Sequence, residues 1–128
     1  MSDPLSSITG AIVRTALDGL SLRQQLIAAN ISNANTSGYA PADVNFEETL
    51  NHLSTNSSAS KDEDIEALAQ LRRDLSEGMY VSESSKQEVE LDMQLMQLNE
   101  TVIRYQALIE GLGKFGSLTR MAISGEVK

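Results

Sequence analysis

VELDMQLMQLNETVIRYQALIEGLG, residues 89–113, holds Leu91, Leu95, Leu98, Val102, Tyr105, Ile109 and Leu112 at alternating steps of four and three. An unbroken alternation of this kind puts every one of these side chains on one stripe of an α-helix and predicts a coiled-coil-like packing seam. Ser85 and Glu88 have the spacing of a capping box, so the helix is expected from residue 86 to about 123. At 1.5 Å per residue it spans about 55 Å. Glu100 with Arg104 and Glu110 with Lys114 are i,i+4 pairs in the favourable order. Gly111, Gly113 and Gly116 interrupt the pattern. Each glycine costs about 1 kcal/mol relative to Ala in a helix, so in the free chain the helix is expected to break there unless neighbours pack closely on it.

A second apolar group, Val89, Met93, Met96 and Ile103, falls roughly opposite the seam on the helical wheel. A two-helix hairpin covers one side of this helix and leaves the other open. A helix that is apolar on opposite faces is normally buried, and the rest of the chain has too little apolar sequence to bury it. The second group is therefore assigned to contacts between subunits. Periodicity by itself favours an intramolecular bundle over a filament; the two-sided apolar pattern and the long polar insert bring the two readings level.

The seam needs a partner within the chain, and the N-terminal region offers one. Asp3-Pro4 is a helix start signal. From about residue 4 to 33, Leu5, Ile8, Ile12, Val13, Ala16, Leu17, Leu20, Leu22, Leu26, Ile27 and Ile31 fill a broad half of the wheel. Ser7, Arg14, Asp18, Ser21 and Gln25 fill the other side, Gly10 and Gly19 weaken the helix, and Arg23 points into the apolar half, where such a residue usually snorkels to the edge. In NISNANTSGYA, residues 30–40, asparagines and Gly38 tolerate positive φ. The helix should stop near 33–35 and turn at 36–38, with Tyr39 and Phe46 anchoring a polar loop by burial.

The middle of the chain is less regular. NHLSTNSSAS, residues 51–60, reads as a polar linker. A short helix over 61–76 follows, with Ser60 and Glu63 as its capping box, Ile65, Leu68, Leu71 and Leu75 as its stripe, and Gly78 closing it. The expected fold is all-α: two long terminal helices in an antiparallel coiled-coil-like hairpin, with an irregular, partly disordered central segment. The organisation is residues 1–35 for the first helix, 36–85 for the turn, linker and short helix, and 86–128 for the last helix.

Composition narrows the function. The chain has 128 residues, a net charge of −8 and no Cys. Absence of Cys excludes disulfides, thiolate metal sites and cysteine nucleophiles, and the acidity argues against binding a phosphate backbone. That acidity is uneven: residues 1–60 carry −3, residues 61–90 carry −5, and residues 91–128 are neutral. No apolar run is long enough to span a membrane, and MSDPLSSITG lacks the basic and apolar regions of a signal peptide. His52 is the only histidine and reads as a surface residue. Asp62, Glu63, Asp64 and Glu66 lack the spacing of a Ca²⁺ loop and read as a solvated helix N-terminus. With no phosphate-binding glycine motif either, the expectation is no enzyme, no cofactor, no metal and no nucleic-acid partner.

Two segments resemble the flagellar basal-body rod proteins. Residues 16–50 carry a run close to that family's R-x-x-x-I-A-x-N-I-A-N-x-x-T-P-G-Y pattern at Arg23, Ile27, Ala28, Asn30, Ile31, Asn33, Thr36, Gly38 and Tyr39, followed by Phe46. Residues 89–125 look like its closing helix, with matches at Val89, Asp92, Met93, Leu98, Asn99, Tyr105 and Leu108. Ser32 and Ser37 depart from the Ala and Pro usual at those positions. The resemblance implies a structural subunit of the proximal rod, in the periplasmic basal body. It would be exported by the flagellar export apparatus without a cleaved signal. Partners would be further copies, FlgC, FlgF, FlgG, FliE and the MS ring. Asn30, Asn33, Thr36, Gly38, Tyr39 and Phe46 would then set the chain reversal, and the first five of these would either dock on an adjacent subunit or simply close the loop. The alternative is a small secreted helical-hairpin binding module or an export chaperone.

Overall fold

The computed structural model describes residues 7–55, 61–86 and 88–124. Their elements are α1 (Ile8–Ser32), β1 (Ala42–Val44), α2 (Glu47–Thr55), α3 (Lys61–Ser76), β2 (Val81–Glu83) and α4 (Leu91–Ser124). The long terminal helices pack against each other. They run antiparallel, since Asn30 near the end of α1 meets Gln94 near the start of α4, while Leu20 neighbours Leu108. Helix α1 is the common support: α2, α3, α4 and β1 all rest on it. Its start is capped by Ser7, whose Oγ accepts from the Gly10 N–H at 2.9 Å. The Asp3-Pro4 start signal and Ser60 lie outside the described residues.

The exit from α1 follows the turn chemistry of the sequence. Asn33 ends the helix with its N–H on Ala29 O, and its side-chain amide donates to the same carbonyl at 2.8 Å. Thr36 donates both its backbone N–H and its hydroxyl to Asn33. Gly38 has φ +77 and Gly78, just past α3, has φ +79, both left-handed conformations that favour glycine. The core forms where α1, the segment around β1 and α3 converge: Leu20, Val44, Phe46, Leu71 and Leu75 are buried together. Ile27 and Leu68 are buried as well. Arg72 of α3 pairs with Asp18 of α1 at 2.7 Å.

Several expectations are corrected. Helix α4 starts at Leu91, not at residue 86; the Ser85–Glu88 pattern does not cap it, and Ser84 Oγ instead accepts from the Lys86 N–H in an irregular lead-in. The helix does not break at its glycines but runs through Gly111, Gly113 and Gly116 to Ser124. No atom lies within 4 Å of where a Cβ would stand at Gly111 or Gly113, so close packing is not the reason. Residues 51–55, read as linker, belong to α2, whose Leu50 and Leu53 reach the core. The middle also holds a two-stranded antiparallel ribbon, β1 with β2, in the register Ala42↔Glu83, Asp43↔Ser82 and Val44↔Val81. Three-residue strands are too short for alternation to reveal.

Candidate functional site

The residues of the α1 motif fold inward around β1. In an antiparallel ribbon alternate residues bond across the pair, and the residues between them point to the other edge. Here Pro41 and Asn45 bond to Ser84 and Tyr80 across the ribbon, which leaves Ala42 and Val44 facing α1. Asn30 meets the first of them. Its Nδ2 donates to Ala42 O at 2.9 Å, and its Oδ1 accepts from the Ala42 N–H at 3.0 Å. The amide thus pairs with a backbone as a neighbouring strand would. Its remaining capacity is filled too: Oδ1 accepts from the Tyr39 hydroxyl at 3.0 Å, and Nδ2 donates to Gln94 Oε1 at 3.0 Å. Two donors and two acceptor positions are all used, at a residue only 2% exposed.

Arg23 meets the second strand residue, two turns earlier on α1. Its Nη2 donates to Val44 O and to Glu47 Oε1, the latter at 2.7 Å, and Nη1 donates to Glu47 Oε2. Nε donates to Asp43 at 3.1 Å. The guanidinium carbon lies 5.2 Å from the centre of the Phe46 ring, a cation–π distance. Sequence reasoning placed Arg23 at the edge of the apolar face; it is instead a hub that joins α1, β1 and α2. The hydrogen bond to Glu47 raises its pKa against the opposing effect of burial. Burial pushes the Glu47 carboxyl up. The hydrogen bond and charge of Arg23, helped by the backbone amides of Glu47 and Phe46, outweigh that and hold it below its ordinary value.

Phe46 is the apolar part of the same clamp, 1% exposed. Its ring sits on Gly19: a Cβ added there would fall 2.5 Å from ring carbon Cε1. The glycine that weakens α1 on propensity alone is what lets the ring approach the helix. Gly19, Arg23 and Asn30 thus form one working edge of α1, with Ile27 buried between the last two.

The assigned residues fall into distinct places. Asn30, Tyr39 and Phe46 turn toward their own chain, Asn33 shapes the helix exit, and Thr36 and Gly38 remain exposed. Of the seam, Leu98, Val102, Tyr105 and Leu112 are half-buried, but Leu91, Leu95 and Ile109 are exposed, at 46%, 45% and 46%. That part of the seam is corrected: the inner face of α4 is set by Gln94, Leu98, Thr101, Tyr105 and Leu108. Polar Gln94 can occupy it because Asn30 meets it, and Thr101 because its hydroxyl bonds Gln97 O at 2.7 Å. Met93, Met96 and Ile103 stand exposed at 51%, 65% and 65%, while Val89 is half-buried.

Two open grooves flank this framework. One of about 340 Å³ runs between α1, α2 and α4, lined by Ala16, Leu20, Phe46, Leu50, Ala107 and Leu108, with Glu47 and Arg104 3.9 Å apart at its rim. The other, about 290 Å³, lies between the ribbon and the start of α4. Among the described residues no three His, Cys, Asp or Glu side chains are grouped to hold a metal, and no helix is long and apolar enough to cross a membrane. What the described side chains show is packing between elements, through apolar contacts, hydrogen bonds and ion pairs.

Comparison with known proteins agrees with that character. The family described as flagella basal body rod protein matches residues 13–39, the stretch that carries Gly19, Arg23, Ile27 and Asn30. The flagellar basal body rod protein FlgB of Bacillus subtilis (strain 168) is 27% identical over 129 residues, covering 95% of this chain and all of that relative. The chain is therefore similar to flagellar rod proteins, FlgB among them. The family match ends at Tyr39, so it covers the helix edge that grips β1 and stops short of the strand itself.

Proposed function

We propose that this chain is a structural subunit of the proximal rod of the bacterial flagellar basal body, without catalytic activity. It assembles through its terminal helices with further copies and with other rod proteins. The carrying observation is on α4. After α1 has covered one face, the helix still shows Leu91, Met93, Leu95, Met96, Ile103 and Ile109, each at least 45% exposed. Large apolar side chains displayed along two flanks of one helix are costly in water and mark an interaction surface. Contacts between different surfaces of identical subunits build open helical assemblies. The full-length match to a FlgB protein supports the same reading.

On this reading FlgC, FlgF, FlgG, FliE and the MS ring are the neighbours, Val89, Met93, Met96 and Ile103 are contact residues, and the chain passes through the flagellar export apparatus to the periplasmic space without a cleaved signal. Thr36 and Gly38, exposed at the α1 exit, are the part of the motif left free for a neighbour. Met93→Asp tests the assignment. The variant should remain a folded, soluble chain, because Met93 already faces solvent, yet fail to enter rods when it replaces the wild type in cells. Normal motility with this substitution would overturn the contact assignment.

A further inference from the structure

The face that α4 turns toward α1 is not its most apolar one. Gln94, Leu98, Thr101, Tyr105 and Leu108 look inward, with Thr101 3% exposed and both Tyr105 and Leu108 packed on the core. Leu91, Leu95 and Ile109 lie on a stripe displaced by about 70° around the helix axis. Turning α4 through that angle would carry all three onto α1 and bring out Gln94, Thr101 and Leu108. Leu98 and Tyr105 border both stripes and stay near the interface in either setting. On burial of apolar surface alone the turned setting is favoured, since three large side chains enter and one leaves. Something directional holds the observed setting.

Thr101 cannot do so, because its hydroxyl bonds a carbonyl of its own helix and turns with it. Arg104 is a weak tether: it reaches Glu47 only at 3.9 Å and has a 2.6 Å partner, Glu100, on α4 itself. Gln94 is different. Its Oε1 accepts from Asn30 Nδ2, on an amide already fixed by Ala42 and Tyr39. Rotation would leave that buried donor one partner short, a penalty apolar burial must overcome. A polar residue in a helix interface selects one register at some expense of stability.

We propose that Gln94 is the specificity-determining residue of the α1–α4 interface: through Asn30 it fixes the rotational setting of α4 and keeps Leu91, Leu95 and Ile109 facing outward. This concerns the free chain and stands whether or not the rod reading does. The absence of cysteine makes it testable with single introduced thiols. Ile109→Cys reports on the stripe four turns from Gln94, and Ile103→Cys, outward in both settings, is the control. Gln94→Met keeps the length of the side chain and removes the hydrogen bond. In that background, Ile109→Cys should react with a soluble thiol reagent at least about tenfold more slowly, as burial protects it, while Ile103→Cys keeps its rate. Equal rates at Ile109→Cys with and without Gln94→Met, at unchanged helical signal, would overturn the proposal. So would slowing at both positions, which would report self-association. If Gln94→Met loses helicity, the same comparison in Gln94→Asn, too short to reach Asn30, decides it by the same criterion.

Discussion

Replacing Asn30 by Ala removes one side chain and strands several groups. The amide meets Ala42 N–H and C=O, the Tyr39 hydroxyl and Gln94. Tyr39 and Gln94 are only half-buried and can turn to water, so little of their cost remains. The two Ala42 backbone groups face α1 and cannot turn without breaking the ribbon. A buried polar group left without a partner costs about 1–3 kcal/mol, so the two Ala42 groups put Asn30→Ala at about 2–6 kcal/mol in total. Small domains have about 5–15 kcal/mol of stability, so this is a large fraction. Asn30→Asp separates geometry from bulk: it keeps the shape and the acceptor for Ala42 N–H but loses both donors and buries a charge, so it should cost at least as much. Urea denaturation followed by circular dichroism measures both, with the midpoint shifting and the slope unchanged. A loss under about 1 kcal/mol for Asn30→Ala would mean that water replaces the amide at no cost and that the clamp does not hold β1.

Gly19→Ala should destabilise by about 1–3 kcal/mol, the usual range for overpacking, because the added methyl meets the Phe46 ring; combining it with Phe46→Leu should recover part of that loss in the same unfolding assay. Phe46→Ala alone should cost about 3–5 kcal/mol, as for other large-to-small core changes, read from the denaturation midpoint. Glu47 gives a pH signature. Its carboxyl is depressed in the folded chain, so its contribution is present above the unfolded value of about 4.3 and lost as pH falls through the lower folded value. Glu47→Gln should therefore flatten the acid side of the stability–pH curve, measured as urea midpoints across that range, and leave its shape near neutrality alone.

Much of the fold follows from the periodicity of its two ends. Steps of four and three identify α4 and its need for a partner, and the broad apolar face of α1 supplies it. Asn33, Gly38 and Gly78 mark turns through chemistry local to each. What escapes such reading involves residues far apart in the chain. The rotational setting of α4 depends on Asn30 meeting Gln94, 64 positions on, and a wheel scores Gln94 only as polar. Arg23 looks like a misfit in an apolar face until Asp43, Val44 and Glu47 come to it. Gly19 looks like a weak point in a helix until Phe46 arrives. The motif that pointed to the family is the same edge of α1 that grips β1, which is why its mixture of Gly, Arg and Asn made little sense as helix sequence alone.

Because β1 is gripped on one edge by an amide and a guanidinium and on the other by β2, a strand only three residues long has no vacant backbone row beside α1. Another polypeptide threading past, folded or not, would find nothing there to zip onto. On the side of α1 the short ribbon is a closed seam, and any recognition there is left to side chains.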